Sequence, residues 1–169
     1  MTKRYHAMLF LVGPQLAKIE AIRRKWDPAM AAAIPAHVTL VYPDEHSGVA
    51  ALRDRVKAVA EREAEFRVSL GDFRSFPPPD EGCVYIEVLD DGGHLRALRQ
   101  SAVAPPFHPI EVPPHLTVVH PRTSDRAEEF WRARLVQNVR SQFLIDAITI
   151  TSFENGGYVA EARFPLLRV

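Results

Sequence analysis

The chain has 169 residues, 47% of them hydrophobic and 25% charged, enough apolar surface for one domain or one pair of closely packed lobes with a real core. Lys plus Arg and Asp plus Glu balance at 21 each, so no overall field draws the chain to long duplex nucleic acid, and any anion site has to be local. The single cysteine, Cys83, excludes an intramolecular disulfide and a cysteine-rich zinc site and reads as a small buried hydrophobe.

The N-terminal stretch MTKRYHAMLFLVGPQL sets an apolar run behind basic residues. That run is only about seven residues long, Gly13-Pro14 ends it and an amphipathic helix follows, so it reads as a first strand over 5–12 rather than a signal peptide. No later stretch approaches the ~20 apolar residues of a membrane span, and the chain is expected to be cytoplasmic. Leu16, Ile19, Ile22 and Trp26 recur at helical spacing along 15–27. HVTLVY at 37–42 is a strand bounded by prolines; Ser47 is the expected cap of a helix over 48–64, and FRVSL at 66–70 has the period of a half-buried strand.

The second half repeats this order. A strand CVYIEVL at 83–89 precedes a helix opened by Asp90 to Gly93 and carrying Leu95, Leu98 and Val103. HLTVVH at 115–120 is a strand, and Ser124 or Asp125 is expected to cap a helix containing Phe130, Trp131 and Leu135. Strands FLIDAITI at 143–150 and YVAEARFPLL at 158–167 close the chain. The spacings agree: Tyr5 to His37 is 32 residues and Val84 to His115 is 31; His37 to Phe66 is 29 and His115 to Phe143 is 28. FRVSLGDFRSF (66–76) aligns without a gap on FLIDAITITSF (143–153). The expected fold is therefore α+β: one domain over 1–169, formed by a pseudo-twofold duplication of β-α-β-α-β units (about 1–76 and 83–169). FPPPDEG at 76–82 is the turn between halves, with mainly antiparallel sheets flanked by helices around a central cleft. No Gly-rich phosphate loop follows any strand, which leaves a dinucleotide-binding reading weak.

The sharpest signal is a decapeptide written twice, IPAHVTLVYP at 34–43 and VPPHLTVVHP at 112–121. Side chains alternate along a strand, so His37 and Thr39 share one face while Val38 and Leu40 take the other, and likewise His115 and Thr117 against Leu116 and Val118. Two lobes meeting about a pseudo-twofold axis bring two imidazoles and two hydroxyls around one point. That set suits a phosphodiester: near neutral pH one imidazole can accept a proton while the other donates one. The threonine hydroxyls can hold non-bridging oxygens while the phosphorus is five-coordinate. This chemistry calls for no metal and no cofactor.

The paired HVTL and HLTV motifs, their separation, the first strand, FRSFPPP and the closing FENGGYVAEARFPL resemble the two-histidine (2H) phosphoesterase superfamily, in its 2′-5′ RNA ligase and cyclic phosphodiesterase branch. The resemblance covers nearly the whole chain. It implies a bilobal fold with a central cleft, acid–base roles for His37 and His115, and phosphate-binding hydroxyls on Thr39 and Thr117. It implies as substrate a small nucleotide or RNA terminus carrying a 2′,3′-cyclic phosphate, or a 2′-5′ linkage, with ligation as the reverse reaction and no ATP. A monomer suffices, and no membrane partner is expected.

Other residues carry weaker signals. Phe76 could stack on a base, although core filling outranks that, as it does for Phe153. Tyr42 and His120 share one repeat position, and ideal alternation points both away from the cleft, so His120 reads as structural. His6, His46, His94 and His108 read as surface residues; Arg4, Arg74 and Arg122 lie near strand ends, with a solvated role as the default for each. Two rival readings remain: a non-catalytic nucleotide- or RNA-binding module on the same framework, and a metallohydrolase, which lacks a carboxylate at ligand spacing beside either histidine.

Overall fold

The computed structural model describes residues 3–76 and 82–169, so most of the proline-rich turn between the halves lies outside the described residues. The first half runs β1 (Tyr5–Phe10), α1 (Leu16–Trp26), α2 (Pro28–Ala33), β2 (His37–Val41), α3 (Val49–Ala60) and β3 (Phe66–Ser75). The second runs β4 (Val84–Leu89), α4 (His94–Ala102), β5 (His115–Val119), α5 (Ala127–Ala133), β6 (Gln142–Ile145), β7 (Ala147–Glu154) and β8 (Gly157–Pro165). The fold is α+β with two antiparallel four-stranded sheets: β2-β1-β7-β8 (sheet A) and β5-β4-β3-β6 (sheet B).

The strand order shows how the duplication is used. Each sheet mixes strands of both halves: β3 crosses to pair with β4 of the second half, and β7 returns to pair with β1 of the first. The chain changes sheets at Asp146, where the single expected strand over 143–150 is two, β6 bonding β3 and β7 bonding β1. In the first half the corresponding segment is one ten-residue strand, longer than FRVSL alone, whose register shifts between Leu70 and Phe73. One interlocked core results, with Leu9, Val38, Leu40, Ile148 and Ile150 of sheet A packed in the same cluster as Leu70, Ile86, Leu116 and Val118 of sheet B. Phe130 of α5 sits edge-on to Trp26 (5.3 Å) and Phe73 (5.0 Å), joining α1 to sheet B.

Several helix ends differ from the sequence reading. The backbone breaks at Asp27, whose carboxylate accepts the Met30 N–H at 3.0 Å with Pro28 in the first turn, and a short α2 follows; the Asp-Pro pair is the signal. The cap of α3 is Gly48, not Ser47, and the helix ends at Ala60. Arg126, not Ser124 or Asp125, stands at the cap of α5; the Ser124 hydroxyl instead donates to the Trp26 carbonyl at 2.8 Å. Leu135, expected within that helix, lies in a 3₁₀ turn after α5 and is 84% exposed. No helix among the described residues is long and apolar enough to cross a membrane.

Candidate active site

β2 and β5 are edge strands of their sheets, and they pack against one another. Their burial patterns are identical along five residues: His37 and Thr39, like His115 and Thr117, are half-buried, while Val38, Leu40, Leu116 and Val118 are within 2% of complete burial. The branched residues anchor each strand to the core, which turns both His-x-Thr pairs to the open side.

The two imidazoles are held in the same way. His37 Nδ1 lies 2.8 Å from the Pro35 carbonyl, and His115 Nδ1 lies 2.8 Å from the Pro113 carbonyl. A carbonyl can only accept, so each Nδ1 carries its hydrogen and each Nε2 is left as the atom that gains or loses a proton. Pro35 and Pro113 hold the same place in the two decapeptides, and the backbone carbonyl of each is the acceptor that fixes its ring. The charge of His115 is felt at His37, across the junction of the two strands.

Alternation does not continue past the threonines. The register pairs Met8 with Thr39 but Ala7 with Val41, and Tyr85 with Thr117 but Val84 with Val119, so each motif strand bulges by one residue. Leu40-Val41 and Val118-Val119 are consecutively buried, and the phase resets. Tyr42 and His120 therefore return to the open side, contrary to the sequence reading. The paired apolar letters after each Thr were the available sign. The Tyr42 phenol lies beside the Thr39 hydroxyl; burial pushes it up to about 12, so it stays a proton donor. His120 Nδ1 accepts the Arg122 N–H at 3.1 Å, and its ring is within reach of the His115 charge.

Burial disfavours the charged form of each ring in the free site. Burial pulls His37 down to about 4, against the pull of the Pro35 carbonyl, and the charges of Arg23, His6 and His115 act the same way as burial. Burial also lowers His115 and His120. His6, read above as a surface residue, is half-buried, stands edge-on to Tyr158 at 5.5 Å and is likewise pulled to about 4, chiefly by burial. An anion placed among these rings would favour their charged forms and raise them again.

The aromatic surroundings differ between the two histidines. Phe76 stacks on Tyr85 at 4.1 Å and presents its edge to His115 at 5.1 Å, so it is half-buried beside the motif rather than core filling. Phe153 is 46% exposed, which also removes it from the core. On the other strand the Phe10 ring lies 6.0 Å from His37. Arg4 and Arg74 are spent in exposed ion pairs with Asp44 (2.8 Å) and Glu87 (2.9 Å), and Arg122 is exposed. His94 and His108 are exposed, as expected; His46 is half-buried, its Nε2 3.1 Å from the Tyr5 carbonyl. Cys83 is half-buried, and burial raises its thiol.

Comparison with known proteins places this geometry in a family. The profile of the 2′-5′ RNA ligase superfamily matches residues 12–157. Among curated proteins, none matches significantly. Solved structures similar in fold include Escherichia coli LigT complexed with phosphate (TM-score 0.63, 18% identity, 98% of both chains) and with 3′-AMP (0.60, 18%, 99% of both). Usb1 of Kluyveromyces marxianus aligns over 96% of this chain and 97% of that one, with a TM-score of 0.52 and 16% identity. With a matching profile over most of its length, the chain belongs to the 2′-5′ RNA ligase superfamily.

Proposed function

We propose that the protein opens 2′,3′-cyclic phosphates of nucleotides or RNA ends by general acid–base catalysis with His37 and His115, within a single domain formed by the two sequence halves. One Nε2 takes the proton from an attacking water, or from an RNA 5′-hydroxyl in the ligation direction. The attacking oxygen bonds phosphorus, one ribose oxygen departs, and the other imidazolium gives that oxygen its proton. The Thr39 and Thr117 hydroxyls donate to the non-bridging oxygens as charge builds there. Each proton transfer contributes about 10²–10⁴ in rate. The incoming phosphate raises the imidazole that must carry the proton.

The observation that carries this reading is the matched pair of Nδ1-to-carbonyl hydrogen bonds at 2.8 Å, which leaves both Nε2 atoms free on adjoining strands. The superfamily assignment supports the reaction class, and LigT's complexes with phosphate and 3′-AMP support a small nucleotide as ligand. The test is a panel of 2′,3′-cyclic nucleotides, 2′-5′ dinucleotides and cyclic-phosphate-ended RNA, assayed in EDTA. His37→Ala or His115→Ala is expected to cut turnover of the best substrate by about a hundredfold or more. Near-normal rates in either variant overturn the reading. A second reading, a nucleotide-binding module without turnover, draws on the burial that lowers both imidazoles in the free protein. Tight binding of nucleoside monophosphates with no product from the whole panel would favour it.

A further inference from the structure

The open face of sheet A carries more than the His37–Thr39 pair. The register sets Phe10 opposite His37 and Met8 opposite both Thr39 and Thr149, so these side chains share that face. Met8, Met30 and Ile34 form a small apolar cluster of their own, with Phe10 and Tyr158 packed against it. Beside it a groove of about 530 Å³ runs over β7 and β8, its apolar walls supplied by Phe10, Val12, Ile34, Pro35, Ala147 and Ala160. The volume is that of a small-molecule site. The groove adjoins His37: the Phe10 ring stands 6.0 Å from the imidazole, and the Pro35 carbonyl holds Nδ1 at 2.8 Å. Next to His115, by contrast, the register places Glu87, which pairs with Arg74 at 2.9 Å.

The polar side chains around the groove are engaged with one another. Arg163 pairs with Asp146 at 2.7 Å, Glu161 takes Lys3 and the Ser152 hydroxyl at 2.6 Å each, and the Thr151 hydroxyl lies 3.4 Å from Met8 Sδ. Thr149 adds one hydroxyl and is only 6% exposed. Burial raises the Tyr158 phenol, as an apolar surrounding does. A heterocyclic base laid here would give up water at its ring nitrogens and exocyclic groups for few partners, which opposes binding. A hydrocarbon chain meets no such cost and gains with each methylene removed from water.

We propose that the groove holds an aliphatic chain, and that the protein also opens five-membered cyclic phosphates of single-chain glycerolipids. The phosphate lies between His37 and His115 and the chain over β7 and β8. This goes beyond the nucleotide reading but rests on its claim that the paired motifs act on a phosphate. A glycerol 2,3-cyclic phosphate presents two vicinal oxygens on one phosphorus, as a ribose 2′,3′-cyclic phosphate does. A water molecule gives a proton to one imidazole as its oxygen bonds phosphorus. The bond from phosphorus to one glycerol oxygen breaks, and that oxygen takes a proton from the other imidazolium. The product is the open glycerol phosphate monoester.

The experiment measures kcat/KM for 1-O-alkylglycerol 2,3-cyclic phosphates from methyl to octyl, beside a 2′,3′-cyclic nucleotide, in the native protein and in Ala160→Trp. All compounds are held below their aggregation concentrations, checked by light scattering. Each methylene taken out of water is worth about fourfold, so an octyl-to-methyl ratio of at least about a hundredfold, half the chain buried, is expected. Ala160 is exposed on β8, so the larger side chain fills the groove without entering the core, and should cut that ratio at least about tenfold. Ala160→Glu, which sets a charge in the groove, should do the same. A smaller native ratio, or one that neither variant moves, overturns the proposal; activity on the cyclic nucleotide then leaves the phosphoesterase reading standing. A native protein inactive on every compound removes that reading and the proposal with it. Ala160→Trp lowering the nucleotide rate more than the octyl rate would give the groove to a nucleoside and overturn the proposal. Sedimentation showing that the variant changes self-association, with the ratio unmoved, would make the groove a contact between copies and overturn it as well.

Discussion

Arg23 and Arg99 each reach out of their own half of the sequence to hold the other half's motif strand. They occupy matching places on α1 and α4, each following the second of the buried residues Ile19, Ile22 and Trp26 or Leu95, Leu98 and Ala102. Arg23 Nε donates to the Thr117 carbonyl of β5 at 3.3 Å; Arg99 Nη1 donates to the Leu40 carbonyl of β2 at 2.5 Å. Each guanidinium is seated on a carboxylate, Glu20 for Arg23 and Glu45 for Arg99. Glu20 accepts the Ala36 N–H just before β2 at 2.5 Å, and Glu45 accepts the Tyr42 N–H just after it at 2.8 Å. The relative position of the two histidines is therefore set by charge-assisted bonds to backbone as well as by apolar packing.

Glu45 is fully buried and also accepts the Ile110 N–H at 2.7 Å. Burial alone would raise its carboxyl; Arg99 and the two N–H groups outweigh that and hold it below the usual range. Glu45→Gln removes the charge opposite Arg99 and should destabilise the fold by about 3 kcal/mol. A urea midpoint equal to that of the native protein would contradict this.

Asp27 ties the α1–α2 junction to the exit of β5. Its buried carboxylate accepts the Met30 N–H (3.0 Å), the His120 N–H (2.9 Å) and the Thr123 hydroxyl (2.6 Å). Asp27→Ala leaves these donors unpaired and should cost about 3 kcal/mol, again read from the denaturation midpoint.

Stability should depend on pH through His6 and His37. Both have folded values of about 4 against an ordinary 6.5, so the unfolded chain binds protons that the native one refuses. Their contribution is complete above pH 6.5 and is lost as pH falls from there toward 4, at up to about 1.4 kcal/mol per unit for each ring. His6→Asn should flatten this slope between pH 6.5 and 5; a slope equal to the native one would count against it.

The same burial predicts the shape of the rate profile. With both imidazoles lowered in the free protein, the limb on which kcat/KM falls should lie below the ordinary histidine value. The optimum of kcat/KM is expected on the acid side of pH 6.5. A plateau extending to pH 8 would contradict the arrangement described.

Thr39→Val and Thr117→Val keep shape and strand preference while deleting the hydroxyl. Each should lower kcat by about a hundredfold if the hydroxyl donates to the phosphorane, with little change in the denaturation midpoint. A change confined to KM would mean that the hydroxyls serve binding alone.

Much of this was legible in the amino-acid letters. The repeated decapeptide, the 32- and 31-residue spacings and the alternation Val38/Leu40 against His37/Thr39 are local patterns, and they carry into identical burial of β2 and β5. The exchange of β3 and β7 between sheets was hidden because the choice of partner strand, near for β3 with β4 and distant for β7 with β1, leaves no mark on local period; only the break at Asp146 separates the two uses of one strand. The bulges that bring Tyr42 and His120 back to the open side were hidden for the opposite reason: a one-residue insertion looks like ordinary apolar sequence. His6 was misplaced because its surroundings come from Tyr158, far along the chain.

The central claim, that His37 and His115 converge on one phosphate, is tested most directly by titrating protein labelled with ¹⁵N at histidine with a nucleoside 3′-monophosphate. Both Nε2 resonances should respond with a single dissociation constant at one ligand per chain, and both rings should become easier to protonate in the complex. Movement of one ring alone, or two separate binding constants, would contradict it.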